Sequence, residues 1–266
     1  MSVVAAERAE GDLAPLPRVL WTQFVGQFTG TLRVPAFWVA SLILPVMFFT
    51  FFGLPNAHFK YSETVSFGAY LLASYGAYSV TSVMLFSFGI GVATERAGKV
   101  DLLVRASPLP PAVYLLAKIF NAITFAFASL AILFIFGFIT AGVSESPATW
   151  AGMIVKLLIG ALPFLLLGFA IGYLFSPNAA PAVVNLVFFP MSFASGVFVP
   201  LQFLPSFVRD IAPYMPTYHL AQLAWNSVGV KSESPWTGAA WLLGYALVFF
   251  ALTFYAIRRD ETSKFR

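Results

Sequence analysis

Both charge signs crowd into one stretch of an otherwise nearly chargeless sequence: Thr94-Glu95-Arg96-Ala97-Gly98-Lys99-Val100-Asp101-Leu102-Leu103-Val104-Arg105-Ala106-Ser107-Pro108. On a helix, Glu95/Lys99 and Asp101/Arg105 fall at i, i+4 with the acid first, the favourable order. Val100, Leu103 and Val104 then form an apolar stripe that could seat in a partner's groove. Pro108, Pro110 and Pro111 end such a helix. The residues support two readings equally, a docking helix and a solvated cytoplasmic helix that only fixes topology.

Enzymatic chemistry finds little support elsewhere. A nucleotide-binding P-loop needs Gly-x-x-x-x-Gly-Lys-Ser/Thr, because backbone amides and the lysine hold phosphate while the hydroxyl holds magnesium. The nearest imitation ends at Gly98-Lys99, with Ala93 where the first glycine belongs and Val100 in place of the hydroxyl. Zero cysteines exclude thiolate metal sites, disulfides and cysteine nucleophiles. His58 and His219 fall in separate loops and read as solvated side chains, not metal ligands. No Gly-x-Ser-x-Gly elbow is present. Glu63, Glu95, Asp101, Glu145, Asp210 and Glu233 all sit in loops, so no mid-span carboxylate offers ion coupling.

The elements that must carry these residues are set by composition. Of 266 residues, 59% are hydrophobic, 30 are Phe and only 10% are charged, with a mean hydropathy of +0.84. A soluble domain carries about 25% charged residues. This chain therefore reads as an all-α integral membrane protein. Four charge-free gaps each hold one helix of about 20 residues. A fifth, of 52 residues between Lys156 and Arg209, holds two, divided at the turn triplet Ser176-Pro177-Asn178. Six spans are expected, near 34–54, 65–93, 112–140, 154–175, 179–200 and 236–257.

Six spans place both termini on one side. That side would hold ten Lys and Arg, against three (Lys60, Arg209, Lys231) in the opposite loops, which puts both termini in the cytoplasm. Residues 1–17 carry Glu7, Glu10 and Asp12 and do not read as a signal peptide. In 17–33, Trp21, Phe24, Val25, Phe28 and Leu32 share one helical face while Arg18, Gln23 and Gln27 take the other. An amphipathic helix beside a span fits the membrane interface, although an ordinary cytoplasmic helix has the same pattern. The scattered basic residues flank apolar runs and form no stripe for nucleic acid.

Two segments carry a family resemblance. One is Glu95 closing span two, followed by Arg96, Gly98, Leu103, Arg105 and Pro108, then Lys118 entering span three. The other is Pro190, Ser195-Gly196-Val197-Phe198-Val199-Pro200, Leu204-Pro205, Pro213 and Pro216-Thr217-Tyr218-His219. In this order within a six-span chain, they resemble the ABC-2 type permease, the membrane subunit of bacterial type 2 ABC exporters. The Gly-Lys usual at the start of span three is Ala117-Lys118 here. The resemblance implies a permease without a nucleotide site of its own. It would sit in the bacterial cytoplasmic membrane as a homodimer served by two copies of a separate ABC ATPase, which would hold ATP and Mg.

The resemblance also assigns parts. Residues 94–107 become a coupling helix in which Glu95, Arg96, Lys99, Asp101, Leu103 and Arg105 meet the ATPase, and 17–33 becomes a connecting helix on the lipid surface. Residues 201–219 become an exterior re-entrant segment gated by Val199, Pro200, Leu204 and Pro205. With a second permease copy facing the first, Tyr75, Tyr78, Ser79 and Ser82 of span two could meet Asn185, Ser192 and Ser195 of span five and border a route at the dimer axis. Plain helix packing accounts for the same stripes, and Gly168-x-x-x-Gly172 in span four also reads as close packing. A route edged by Tyr, Phe and hydroxyls suits the efflux of amphipathic cargo such as a drug, lipid or peptide. Polysaccharide export within the family and ion-coupled secondary transport are the alternatives.

Overall fold

The computed structural model describes residues 15–100, 104, 106, 107, 109–230 and 233–264. Every element among them is helical. Helix α1 is Leu16–Leu32, entered through Pro15 and Pro17, where a fixed φ suits a first turn. Its Phe28 ring stacks on Phe125 at 5.1 Å, while Trp21, Val25 and Leu32 stay exposed. The apolar face is thus divided between protein and open surface, as expected of a helix lying on lipid.

Helix α2 (residues 35–56) is wound irregularly, with π turns at Val39–Ile43 and Phe49–Gly53. Pro45 explains part of this, because it has no N–H to return to the Ser41 carbonyl. That carbonyl instead accepts from Ser129 Oγ at 2.5 Å and Ser79 Oγ at 3.5 Å, on two other helices. A freed backbone group inside a membrane must be satisfied in this way.

Helix α3 (Phe67–Ala97) is the axis of the bundle. Ser66 caps it by accepting from the Ala69 N–H, and every residue from Gly68 to Leu85 is buried. A helix apolar all round belongs inside a bundle, not at its rim. Around it stand α4 (Pro111–Ala141) and α5 (Pro147–Leu174), then α6 (Ala180–Ala194) and α9 (Pro235–Lys264). Among the described residues five helices, α2, α3, α4, α5 and α9, are long and apolar enough to cross a bilayer. Gly168 and Gly172 of α5 face the π turn at Phe86–Ile90 of α3, and a Cβ on Gly172 would stand 2.7 Å from the Phe88 carbonyl oxygen. The close packing read from that spacing is present.

Several boundaries differ from the sequence expectation. Helix α5 starts at Pro147 rather than near 154, because Ser146 caps it through the Thr149 N–H. It then bends at Ala161, just before Pro163. Helix α6 ends at Ala194 rather than continuing to 200, since Gly196 takes a left-handed φ of +78°. Its 15 residues reach only about 22 Å, short of a hydrocarbon core of about 30 Å.

Beyond α6 the chain forms a 3₁₀ turn at Leu201–Phe203, α7 (Ser206–Ile211) and α8 (Pro216–Ser227). The broken segment expected at 201–219 continues in helix to Ser227, and its α8 part is buried from Pro216 to Trp225. Trp225 Nε1 donates to Ser74 Oγ at 2.8 Å and its ring stacks on Tyr70. Tyr70 stacks in turn on Tyr61 at 4.2 Å, and burial raises the Tyr61 phenol above its ordinary pKa. His219, expected as a solvated loop residue, is 1% exposed. It contacts the Pro213 carbonyl oxygen through Nε2 at 2.8 Å and stacks on Trp241. The reason is that α8 folds inward between α3, α5 and α9.

Candidate functional site

Two adjacent charges close α3. Glu95 and Arg96 point to different sides because consecutive helical residues are about 100° apart. The Glu95 carboxylate accepts from Tyr114 Oη at 2.5 Å and from Lys118 Nζ at 2.6 Å to each oxygen. Both donors lie on α4, and the Lys118 side chain is only 6% exposed. Lys118 sits two turns inside an apolar helix, where an unpaired ammonium would be costly. Glu95 neutralises it, and the contact joins α3 to α4.

Arg96 points to the opposite side. Its guanidinium donates to the Gly172 carbonyl at 2.7 Å and to the Phe175 carbonyl at 3.4 Å, pairs with Asp260 of α9, and lies over the Tyr173 ring. The last carbonyls of a helix lack intrahelical partners and carry its negative pole, which favours a cation there. Arg96 therefore caps α5 and ties α3 to α9 at once. A planar fork with several donors can do this, whereas an ammonium cannot.

Immediately beyond this clasp the helix stops. Gly98 follows the last helical residue, Ala97, and Lys99 has a φ of +55°. The expected continuous helix over 94–107 is thus interrupted at 98–99, and the expected Glu95/Lys99 pair is replaced by Glu95/Lys118. The reason is physical: a left-handed residue ends the helical ladder, and a buried ammonium attracts the carboxylate more strongly than an exposed neighbour. Lys99 itself is exposed. Asp101, Leu103 and Arg105 lie outside the described residues.

The α3 polar stripe is buried inside one protomer, and the α6 stripe residues Asn185 and Ser195 bond to their own segment. Tyr75, Tyr78, Ser79 and Ser82 of α3 are fully buried. Ser82 Oγ donates to the Ser79 carbonyl at 2.8 Å, and Ser79 meets Ser129 of α4. Tyr78 packs on Phe188 of α6 at 4.8 Å, on Phe198 at 5.2 Å and edge-on to Phe48 of α2 at 5.6 Å. Ser192 is buried, and its carbonyl accepts from Ser195 Oγ at 3.0 Å. Asn185, half-buried, donates to the Pro181 carbonyl one turn back. Tyr75 Oη, Tyr78 Oη and Ser192 Oγ are buried without a hydrogen-bond partner among the described residues. The α3 stripe therefore faces the interior of this protomer. Tyr78, Phe188, Phe198 and Phe48 form an aromatic junction of α2, α3, α6 and the segment after it. Of the expected gate residues, Pro200 is buried, Val199 and Leu204 are half-buried, and Pro205 is exposed.

Sequence reasoning missed Tyr114, Asp260, Phe48 and Phe188. A cation inside an apolar helix requires an anion, and that signal at Lys118 could have found Glu95. The role of Asp260 had no comparable signal, because it stands among the basic residues of the C-terminal tail.

A bundle of this kind, with a charged clasp at one end and a broken inward-folding segment at the other, can be compared with known families. The family model for the ABC-2 family transporter protein matches residues 55–255. The chain belongs to that family. It is 29% identical over 245 residues to a Bacillus subtilis (strain 168) protein named "Putative transport permease YvfS", covering 91% of this chain and 98% of that one. As an ABC-2 member the chain is a multi-pass membrane transport subunit, a class that works with an ABC ATPase. The matched region begins in α2 and ends in α9, so it includes the broken segment and all of the clasp except Asp260.

Proposed function

We propose that this chain is the membrane subunit of an ATP-driven exporter for an amphipathic or hydrophobic molecule. It lies in the bacterial cytoplasmic membrane with both termini in the cytoplasm, paired with a second copy and with two copies of a separate ATPase. The observation that carries this reading is the clasp beside the exposed turn at 98–99. Glu95 and Arg96 connect that turn to α4, α5 and α9. A displacement imposed on the turn by an ATPase then reaches three helices together, without the continuous docking helix that spacing alone suggests.

The excess of basic residues at the clasp end supports the orientation. Exposed apolar residues on α2 and α6, such as Phe51, Phe52 and Leu186, supply a face for the second copy on either side of the aromatic junction. In this arrangement the orphaned hydroxyls of Tyr75, Tyr78 and Ser192 are polar groups that cargo can meet when the junction opens.

The test is reconstitution in proteoliposomes with the ABC ATPase subunit that serves this chain. ATP added on the clasp side should drive an amphipathic fluorescent dye away from that side. Dye movement that follows an imposed ion gradient and ignores ATP would refute the proposal.

A further inference from the structure

Away from the clasp, α5 and α9 border a cavity of about 350 Å³ that opens on the outer surface of the bundle. Its walls are apolar, including Ile159, Leu162, Ala239 and Leu243, and Leu223 of α8 also lines it. Lys156 is the one charged residue among the lining residues. Its Nζ donates to Ser227 Oγ at 3.0 Å. The ion pairs formed among the described residues, Glu95–Lys118 and Arg96–Asp260, do not include it.

Depth makes this lysine informative. Helix α5 has 28 residues and is about 42 Å long, close to the full thickness of a bilayer with its headgroups. Lys156 lies nine residues from its start, so its Cα is about 14 Å below the helix tip. Side chains on a helix lean towards the N-terminus, and lysine extends its stem along apolar surface to reach polar depth. The ammonium is thereby directed to the level of lipid phosphates. Below it the cavity follows α9 from Pro235 towards Ala246, a rise of about 16 Å. Trp236 stands at its mouth, 83% exposed, a position typical of interfacial aromatics.

We infer that this cavity binds an anionic phospholipid of the surrounding leaflet, with its phosphate on Lys156 and an acyl chain along α5 and α9. Charge complementarity selects this occupant: the cation needs an anion, and the walls below it need hydrocarbon. The inference requires only that α5 and α9 cross a bilayer, so it stands apart from the exporter reading.

The test uses the purified full-length chain in detergent micelles, titrated with phosphatidylglycerol or phosphatidylcholine carrying brominated acyl chains. Quenching of tryptophan fluorescence reports binding, and the part lost in Trp236→Phe reports this site. Phosphatidylglycerol should saturate the signal at about a tenth of the phosphatidylcholine concentration. Lys156→Gln should remove that preference, Lys156→Arg should keep it, and Ala239→Phe, which fills the cavity, should remove the signal for both lipids. If Lys156→Gln does not fold, the two-lipid comparison on the unaltered chain and the Ala239→Phe variant decide alone. Equal saturation by both lipids, or a preference unchanged in Lys156→Gln, would overturn the inference. So would an intermolecular disulfide through Leu243→Cys in native membranes, which would show a second copy covering the cavity.

Discussion

At the scale of single residues, the clasp consists of two charge contacts that differ in kind. Lys118 is almost sealed from solvent and Glu95 is about a third exposed, so removing the anion leaves a buried cation without a counter-charge. Breaking one side of such a pair costs more than replacing both partners. Glu95→Gln should therefore destabilise the chain by about 2 kcal/mol, and Glu95→Gln combined with Lys118→Met should recover most of the loss. Thermal unfolding in detergent, compared across the two variants, checks this; equal losses would mean that the pair carries no special weight. Arg96→Lys should also destabilise, although the charge is kept, because an ammonium cannot serve Gly172, Phe175 and Asp260 together. A melting temperature equal to that of the unaltered chain would contradict the capping role.

At the scale of elements, the boundaries show what a sequence displays and what it conceals. Helices α1 and α4 were legible to within a residue, because Pro17 and Pro111 start them and uninterrupted periodicity fills them. The end of α6 was not, since hydropathy continues past Ala194 and only the backbone angle of Gly196 stops the helix. The inward course of α8 was half legible: its prolines marked a broken segment, but its burial depends on Trp225, Tyr70 and Ser74 meeting across more than a hundred residues. The partner of Glu95 was legible only from the Lys118 side, as a cation inside an apolar helix, since Lys99 is the neighbour of Glu95 in sequence and Lys118 its neighbour in space. Packing between α3 and α5 yields a sharper expectation. Gly172→Val should cost about 1–3 kcal/mol, because its Cβ would meet backbone oxygen at 2.7 Å. Gly152→Ala, on the same helix with nothing within 4 Å, should be neutral or stabilising by up to about 1 kcal/mol. Chemical denaturation of both variants reads the contrast, and similar effects would argue against the close approach of α3 and α5.

At the scale of the whole molecule, the protomer is asymmetric about α3. Helices α2, α4, α5, α6 and α8 pack against it, whereas α9 packs on α5 and α8, and the outer faces of α2 and α6 carry the well-exposed Phe51 and Leu186. Pairing of two copies through those faces should let Leu186→Cys form an intermolecular disulfide in membranes, while Ile139→Cys on α4, equally exposed, should not. Cross-linking at Ile139 alone would move the interface to the other side of the bundle. The central claim is that a separate ATPase acts on this chain through the turn after α3, whose movement the clasp distributes. Lys99→Glu tests it most directly, because Lys99 lies in that turn, exposed and outside the clasp. Co-purification of its ABC ATPase subunit, with ATP hydrolysis measured on the purified complex, should fall at least about fivefold in Lys99→Glu, about 1 kcal/mol of lost contact, while the melting temperature stays unchanged. Full co-purification and full hydrolysis in that variant would contradict the account.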